Sequence, residues 1–237
     1  MFFRILFFVS LTGFTFKGFC AENMALISAD SLYNSKKYTE AFERYKDIYD
    51  NGQASPAMLG KMAFIQEGLG NYTSALYYLD HYYKKTSNKK VLEKMQDLAG
   101  ENDLVGYNFS DYKFLTNNIN KYQRHIIGSL SALSIFILAL IYYKKPKGYK
   151  AVPWVSLQLI VVLPILLIVN EFFEQNEGII KEDQTVLMEA PSAASEPIEL
   201  ISKGHKVKIL SQSPVWTRIQ YEDQEAYVRS NRLLRLF

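Results

Sequence analysis

The chain has 237 residues, a formal net charge of +3 and a charged fraction of 22%. This balance argues against a dedicated nucleic-acid-binding protein, which would carry a strong basic stripe. The single cysteine rules out an internal disulfide and a cysteine-based metal site. The 17 tyrosines and 15 phenylalanines are typical of packing and of anchoring at a membrane interface.

The first 21 residues predict a secretory signal peptide. A positive start at Arg4 precedes an apolar stretch, and small residues follow it. Cleavage is expected after Cys20 or Ala21. The alternatives are an uncleaved anchor and, less favoured because a bulky residue precedes it, a lipid attached to Cys20. In each case the chain from residue 22 onward is exported.

Residues 22–100 predict an all-helical region with repeats at 22–55 and 56–89, followed by a capping helix. The segments SKKYTEAFERYKDIYDNG and GLGNYTSALYYLDHYYKK superimpose at an offset of 34 residues. This period, with a tyrosine three residues before an alanine in the second helix, resembles the tetratricopeptide repeat. The positions where the resemblance implies close helix packing are Ala29, Tyr38, Ala41, Ala63, Tyr72 and Ala75.

The same resemblance implies a protein-binding groove along the first helix of each repeat. Spacings of four and three residues place the candidates on one helix face. They are Leu26, Asp30 and Tyr33 in the first repeat and Phe64 and Glu67 in the second, with Lys61 beside them. The alternative is that they pack against a neighbouring helix of this chain. Because two repeats are fewer than the three normally needed, the array is expected to lean on the next segment, the membrane or a partner.

Two long apolar runs predict membrane helices at 126–143 and 154–173, the first without charge and the second without charge before Glu171. A connecting helical segment is predicted before them at 101–125. The first run spans about 27 Å at about 1.5 Å per residue, close to the bilayer core. The loop at 144–153 has four lysines and no acidic residue, which places it in the cytoplasm. Both flanking regions therefore face the periplasm of a two-membrane bacterium. The alternative, a buried hairpin of a soluble protein, fits two such runs poorly.

After a predicted linker at 174–183, residues 184–237 show five short alternating runs, which predict a small all-β barrel. The ending VWTRIQYEDQEAYVRSNRLL resembles the bacterial SH3-like domain. The resemblance implies core positions at Trp216, Tyr227 and Val228, and a peptidoglycan- or peptide-binding role. However, the family's binding loop is only partly echoed by EAPSAAS. A structural or protein-docking module, with Trp216 in the core, is therefore the preferred interpretation.

The sequence shows no nucleotide-binding loop and no metal motif, so we expect no cofactor and no nucleic-acid partner. The predicted fold is a multidomain membrane protein: tetratricopeptide-like α-α hairpins, a two-helix transmembrane hairpin and an SH3-like barrel. This order resembles the BatE family of the Bacteroides aerotolerance operon.

The BatE resemblance implies a non-enzymatic inner-membrane scaffold linked to oxygen or stress tolerance. Its implied partners are other proteins, including membrane-bound von Willebrand A-domain proteins, together with the lipid bilayer. An alternative is a cell-envelope sensor or peptidoglycan-binding protein that acts through the SH3-like domain. A third hypothesis, a hydrolase, has no motif to support it.

Overall fold

The structure is a computed structural model that describes residues 19–108, 110–144, 152–170, 176–222 and 224–236. Most of the predicted signal peptide and most of the predicted lysine-rich loop lie outside these residues. The chain forms two compact units, Met1–Met58 and Leu59–Phe237.

The first unit contains two helices, α1 (Phe19–Asn34) and α2 (Tyr38–Asp50). They contact each other through small side chains, since Ala29 and Ala41 have no exposed surface. Alanine at a crossing lets two helix backbones approach closely, because any larger side chain would hold them apart.

Three further helices follow: α3 (Pro56–Gly68), which begins in the first unit and continues into the second, α4 (Tyr72–Thr86) and α5 (Lys89–Gly100). Ala63 and Ala75 are both buried. The side chain of Asn88 caps α5 by accepting a hydrogen bond from the Lys90 N–H at 3.1 Å. The helix α5 lies in the segment where the sequence predicts a capping helix.

The turns after α1 and after α3 have the same backbone geometry at a spacing of 34 residues. Lys36 and Gly70 take the left-handed conformation, with φ of 59° and 75°. In both turns this residue and the next donate N–H groups to carbonyls of the last helical turn, at 2.8–3.0 Å. This is the Schellman arrangement, in which glycine is favoured because a Cβ in this conformation costs about 1–2 kcal/mol. The lysine therefore keeps the turn at an energetic cost.

The predicted connecting helix at 101–125 is helical only from Asp111, because residues 101–108 run as an irregular segment. From there α6 (Asp111–Lys144) continues without a break through the predicted span. It contacts α7 (Val152–Val169), and the Gln158 side chain donates to the Ser134 hydroxyl at 2.6 Å. Both helices are long and apolar enough to cross a membrane, and their most apolar 18-residue stretches have mean hydropathies of 2.1 and 2.5.

The C-terminal part is an antiparallel sheet of seven strands in the order β3-β2-β6-β5-β4-β1-β7. The strands are β1 (Glu177–Ile180), β2 (Thr185–Met188), β3 (Pro197–Ile201), β4 (Lys206–Gln212), β5 (Trp216–Tyr221), β6 (Gln224–Arg229) and β7 (Leu233–Leu236). The five predicted strands correspond to β2–β6. The prediction missed β7, and it was wrong to treat 174–183 as a linker, because β1 lies within it. Ile179 and Ile180 are both buried, so β1 lacks the alternation that marks a half-buried strand.

The sheet encloses one core of branched aliphatic side chains. Its buried members are Ile180, Leu187, Ile201, Val207, Ile219, Ala226, Val228 and Leu233. Contributions from all seven strands explain why the last 60 residues of the chain fold around a single centre.

Candidate binding groove

A groove with a volume of about 540 Å³ opens on the sheet beside β2, β3 and β5. Its walls include Val186, Met188, Leu200, Trp216, Arg229 and Arg232. Leu200 is 64% exposed, although it stands on a strand, because the groove side of β3 has nothing packed over it within the described residues. An open apolar surface of this kind is a candidate ligand site.

The centre of the groove is a stacked pair formed by Trp216 and Arg229. These residues begin β5 and end β6, and they are directly opposite each other in the antiparallel register. Opposite residues project from the same face, which brings the guanidinium to 5.6 Å from the centre of the tryptophan ring. Trp216 is half-buried, so its ring also forms part of the accessible wall.

The charge of the groove is positive. Arg229 is exposed, and Arg232 forms an ion pair with Glu182 at the rim. No acidic residue is among the described side chains that line the groove. An arginine fork binds carboxylates in a bidentate manner, so the groove suits an apolar ligand that carries a carboxylate.

The loop between β2 and β3 forms one wall of this groove, through Ala193 and Ser195. The Ser195 hydroxyl accepts a hydrogen bond from the Ala190 N–H at 3.1 Å, which closes the loop on itself. This is the EAPSAAS segment, which was expected to have lost its binding role. The partial match of EAPSAAS to the family's binding loop is the feature of the sequence that could have indicated a groove at this place.

The three predicted core positions of the sheet have different environments. Val228 has no exposed surface and lies in the core. Tyr227 is half-buried, because neighbouring residues of a strand point to opposite faces and Val228 takes the inner one. Trp216 is half-buried and lies in the groove instead of the core, which corrects its predicted placement.

The helical candidates of the first unit are all half-buried. Asp30 accepts a hydrogen bond from the Tyr45 hydroxyl of α2 at 2.5 Å. Burial and this hydrogen bond raise the pKa of Tyr45 above its usual value. Tyr33 meets the predicted packing residue Tyr38 edge to face, with ring centres 5.5 Å apart. Leu26 is the third candidate of this unit. Asp30 and Tyr33 thus have contacts within the chain, as the alternative interpretation expected.

The candidates on α3 differ from one another. Phe64 is 53% exposed, whereas Lys61 is half-buried. Glu67 forms an ion pair with Lys94 of α5, with 2.5 Å between the charged atoms. The predicted packing residue Tyr72, at the start of α4, is 39% exposed. Among the α3 candidates, Phe64 presents the largest apolar surface to solvent.

A second feature, missed by the sequence analysis, is a buried ion cluster that joins the sheet to the helices. Lys206 on β4 lies 2.7 Å from Asp80 of α4 and 2.7 Å from Glu177 of β1. Lys113 of α6 approaches Glu177 at 2.8 Å, and Lys84 approaches Asp80 at 3.4 Å. The side chains of Lys206 and Asp80 are only 3% and 2% exposed. These five residues form the ion cluster.

The ion cluster is held in its charged form. Burial alone would raise the pKa of Asp80 and Glu177, but the neighbouring ammonium groups outweigh it and hold the pKa of both carboxyls below the usual values. Burial would lower the pKa of Lys206, but its two carboxylate partners raise that pKa above the usual value. The charges therefore persist across neutral pH.

Next to the ion cluster, the irregular segment before α6 makes backbone contacts with the sheet. The Lys206 N–H donates to the Val105 carbonyl at 2.9 Å. The Val105 N–H donates to Nδ1 of His205 at 3.1 Å, and the buried Tyr107 hydroxyl donates to the Gly204 carbonyl at 2.7 Å. We call the ion cluster and this segment the docking face.

Two glycines allow the close approach at the docking face. Gly106 has φ of 95°, and a Cβ there would lie 2.0 Å from the Lys206 carbonyl oxygen. Gly204 has φ of 98°, and its Cβ would lie 2.9 Å from the Leu104 side chain. Neither site has room for a side chain, which explains glycine at both positions.

The first turns of α6 add contacts with the end of α4. The Asn117 side chain donates to the Ser87 hydroxyl at 2.9 Å, and Lys121 donates to the Thr86 carbonyl at 2.8 Å. A cation at the C-terminal end of a helix is favourable because of the helix dipole. One end of α6 is thus fixed to both α4 and β1.

One residue in the sequence indicated that a buried contact of this kind exists. Asp80 lies within LYYLDHYY, where a single carboxylate is surrounded by apolar and aromatic residues. A charge at such a position requires a buried partner. Its partner Lys206 lies 126 residues away, which no local pattern reveals.

Among the described residues, no group of three or more His, Cys, Asp or Glu side chains is placed to hold a metal ion. The model of the family described as bacterial SH3 domain matches residues 187–234, which include most of the groove. No curated protein and no solved structure matches the chain. The match supports an SH3-like C-terminal part, which indicates a peptidoglycan- or protein-binding module.

Proposed function

We propose that this chain is a non-enzymatic membrane scaffold whose helical region and SH3-like module bind protein partners. The observation that carries the proposal is the asymmetry of the sheet. Strands β1 and β4 are fixed to α4 and α6 by the docking face, whereas strands β2, β3 and β5 border an open groove around Trp216. A module that is anchored at some strands and open at others holds a partner in a fixed place.

The helices support the same proposal. The Schellman turns repeat at 34 residues and four alanines are buried at the matching positions, which supports tetratricopeptide-like repeats at 22–55 and 56–89. The helices α6 and α7 have the length and composition of membrane spans. The lysine-rich loop between them favours the cytoplasm, so both binding regions would face the periplasm of a bacterial inner membrane.

The implied partners are membrane proteins such as those with von Willebrand A domains, and the implied process is aerotolerance. Both come from the resemblance of the whole order of parts to the BatE family.

Affinity capture of the full chain from detergent-solubilised membranes tests the scaffold. Trp216→Ala with Arg229→Ala removes the stacked pair of the groove, and Tyr33→Ala with Phe64→Ala changes the helical candidates. Val215→Ala is the matched control, because Val215 is 58% exposed beside Trp216. We expect each double variant to lose a defined set of partners that the control retains. An unchanged set at equal expression in both double variants contradicts the proposal.

A second candidate function is binding of peptidoglycan. The positive groove favours it, because stem peptides carry carboxylates that an arginine fork can bind. Co-sedimentation of the solubilised full chain with purified sacculi separates the two functions. Loss of co-sedimentation in the Trp216→Ala, Arg229→Ala variant supports wall binding. No co-sedimentation of the wild type removes this candidate and leaves the scaffold.

A further inference from the structure

The helix α6 carries an apolar stripe that no other described part of the chain covers. In its first 15 residues, before the uncharged run begins, Tyr112, Leu115, Ile119 and Tyr122 follow one another at spacings of three, four and three. Tyr112, Leu115 and Tyr122 are 54%, 60% and 47% exposed, and Ile119 is half-buried. The same spacing continues into the apolar segment at Ile126 and Leu133.

This spacing is the a/d pattern of a heptad, which packs one helix along another over its whole length. Lipid does not cover its first part. Tyr112 precedes Ile126 by 14 residues, which is about 21 Å of helix outside the uncharged run. Exposed apolar side chains in a regular row outside the bilayer mark an interaction surface.

The contacts within the chain leave this face open. Lys113 and Asn117, which contact β1 and α4, fall at heptad positions b and f, away from the a/d row. Ser134, which contacts α7, also falls at position b. Thr116 and Ile137, at heptad position e, are only 5% and 3% exposed, so the folded chain covers the b, e and f sides of α6. At the a and d positions, Tyr112, Leu115 and Tyr122 stay exposed.

We infer that the stripe binds the α6 helix of a second copy of this chain, which forms a parallel homodimer. A partner must be a helix that crosses the membrane boundary in the same direction and carries an apolar face on both sides of it. A second copy meets this condition by symmetry, because two identically inserted chains are parallel and in register.

The charges on α6 agree with self-association. Lys113, Lys121 and Arg124 occupy positions b, c and f, so no cation of this segment lies in or beside the seam. The flanking positions e and g before Ile126 hold Asp111, Thr116, Asn118, Gln123 and His125. In a parallel pair these positions bring no two like charges opposite each other. The inference rests on the membrane insertion proposed above.

Cysteine cross-linking of the full chain in isolated membranes tests the dimer, with Cys20→Ser as the background. Leu115→Cys and Tyr122→Cys place a thiol in the seam, and Arg124→Cys places one at position f as the control. Mild oxidation should give a band at the mass of two chains for both seam variants, at least tenfold stronger than for the control. Equal bands in all three, no band in any, or a band at the mass of a different protein would overturn the inference.

A second comparison adds one charge at two positions of the same helix. Leu115→Lys puts like charges across the seam, and we expect the detergent-solubilised protein to change from two chains to one by light scattering. Asn120→Lys, at position b, should keep the mass of two chains. The same mass for both variants contradicts the inference. Alkaline extraction of the membranes, which separates inserted from peripheral protein, shows independently whether the proposed membrane insertion holds.

Discussion

The docking face and the groove of the SH3-like sheet differ in what their polar residues do. On the docking face, Lys206 and Asp80 are almost completely buried, and each charged group of the ion cluster has an oppositely charged partner within the chain. In the groove, Arg229 is exposed over the half-buried ring of Trp216. The sheet thus has two distinct regions: the docking face contributes to stability, and the groove remains open to solvent.

The largest expected effect is that of Lys206→Met. It removes the buried ammonium group shared by Asp80 and Glu177, which then keep only the partly exposed Lys84 and Lys113 as partners, and this should lower the free energy of unfolding by about 3–5 kcal/mol. Denaturant unfolding of the detergent-solubilised chain measures this loss. Adding Asp80→Asn and Glu177→Gln to the same variant removes the two buried carboxylate charges and should recover much of it. If the triple variant is as unstable as the single one, the charges are not the cause.

Gly106→Ala disturbs the docking face through a steric clash and leaves its charges unchanged. A Cβ would lie 2.0 Å from the Lys206 carbonyl oxygen, at a φ that favours glycine. We expect a loss of about 2–3 kcal/mol and faster hydrogen exchange at the start of β4. Gly100→Ala is the control, because its Cβ meets open space at the end of α5. Similar behaviour of the two variants would exclude tight packing at Gly106.

The docking face should also make stability depend on pH. Burial lowers the pKa of His81 to about 4 and lowers the pKa of His205 below its usual value. The unfolded chain then binds more protons below about pH 6.5, so the free energy of unfolding should fall as pH falls from about 6.5 toward 4.

Thermal unfolding across this pH range measures the slope. His81→Gln with His205→Asn removes both titrating groups and keeps polar side chains, so its unfolding temperature should change less between pH 6.5 and 4. Below that range, protonation of Asp80 and Glu177 should destabilise both proteins, since their pKa values are held low. Equal slopes for the wild type and the double variant above pH 4 would contradict the assignment to histidine.

The smallest effect on stability is expected in the groove. Arg229→Gln changes an exposed side chain, so the free energy of unfolding should stay within about 0.5 kcal/mol of the wild type. Its binding to captured partners or to sacculi should nevertheless weaken, because the stacked cation is lost. Lys208→Gln, on an exposed position of β4, is the control for the loss of one positive charge. A large loss of stability would show that the groove also contributes to stability and is not energetically independent of the docking face.

The local parts of this fold could be predicted, because local patterns encode them. The 34-residue period indicated α1–α4, the segment after the repeats indicated α5, and alternation indicated β2–β6. β1 was missed, since two successive isoleucines are both buried. Lys36 takes the same left-handed turn as Gly70, which its residue type did not predict.

The docking face could not be predicted, because it depends on pairs that are distant in sequence. Nothing in HKVKIL marks Lys206 as buried, since a lysine on a strand normally points to solvent. Asp80 was the stronger signal, but its partner could not be chosen among the 27 lysines and arginines. Trp216 was predicted to lie in the core, because the family resemblance indicates which strand holds this residue but not how exposed its side chain is.

Because α6 is one unbroken helix, it fixes the position of the SH3-like sheet, and therefore of the groove, relative to the uncharged run. Lys113 precedes Ile126 by 13 residues, so it stands about 20 Å along the helix axis from the start of the uncharged run. The ion pair between Glu177 and Lys113 joins β1 to this point of α6, so the sheet is held at a fixed distance along the helix axis from the start of the uncharged run. A module held in this way reaches only a narrow range of positions along that axis. Its effective concentration is therefore high toward targets in that range and low toward targets elsewhere.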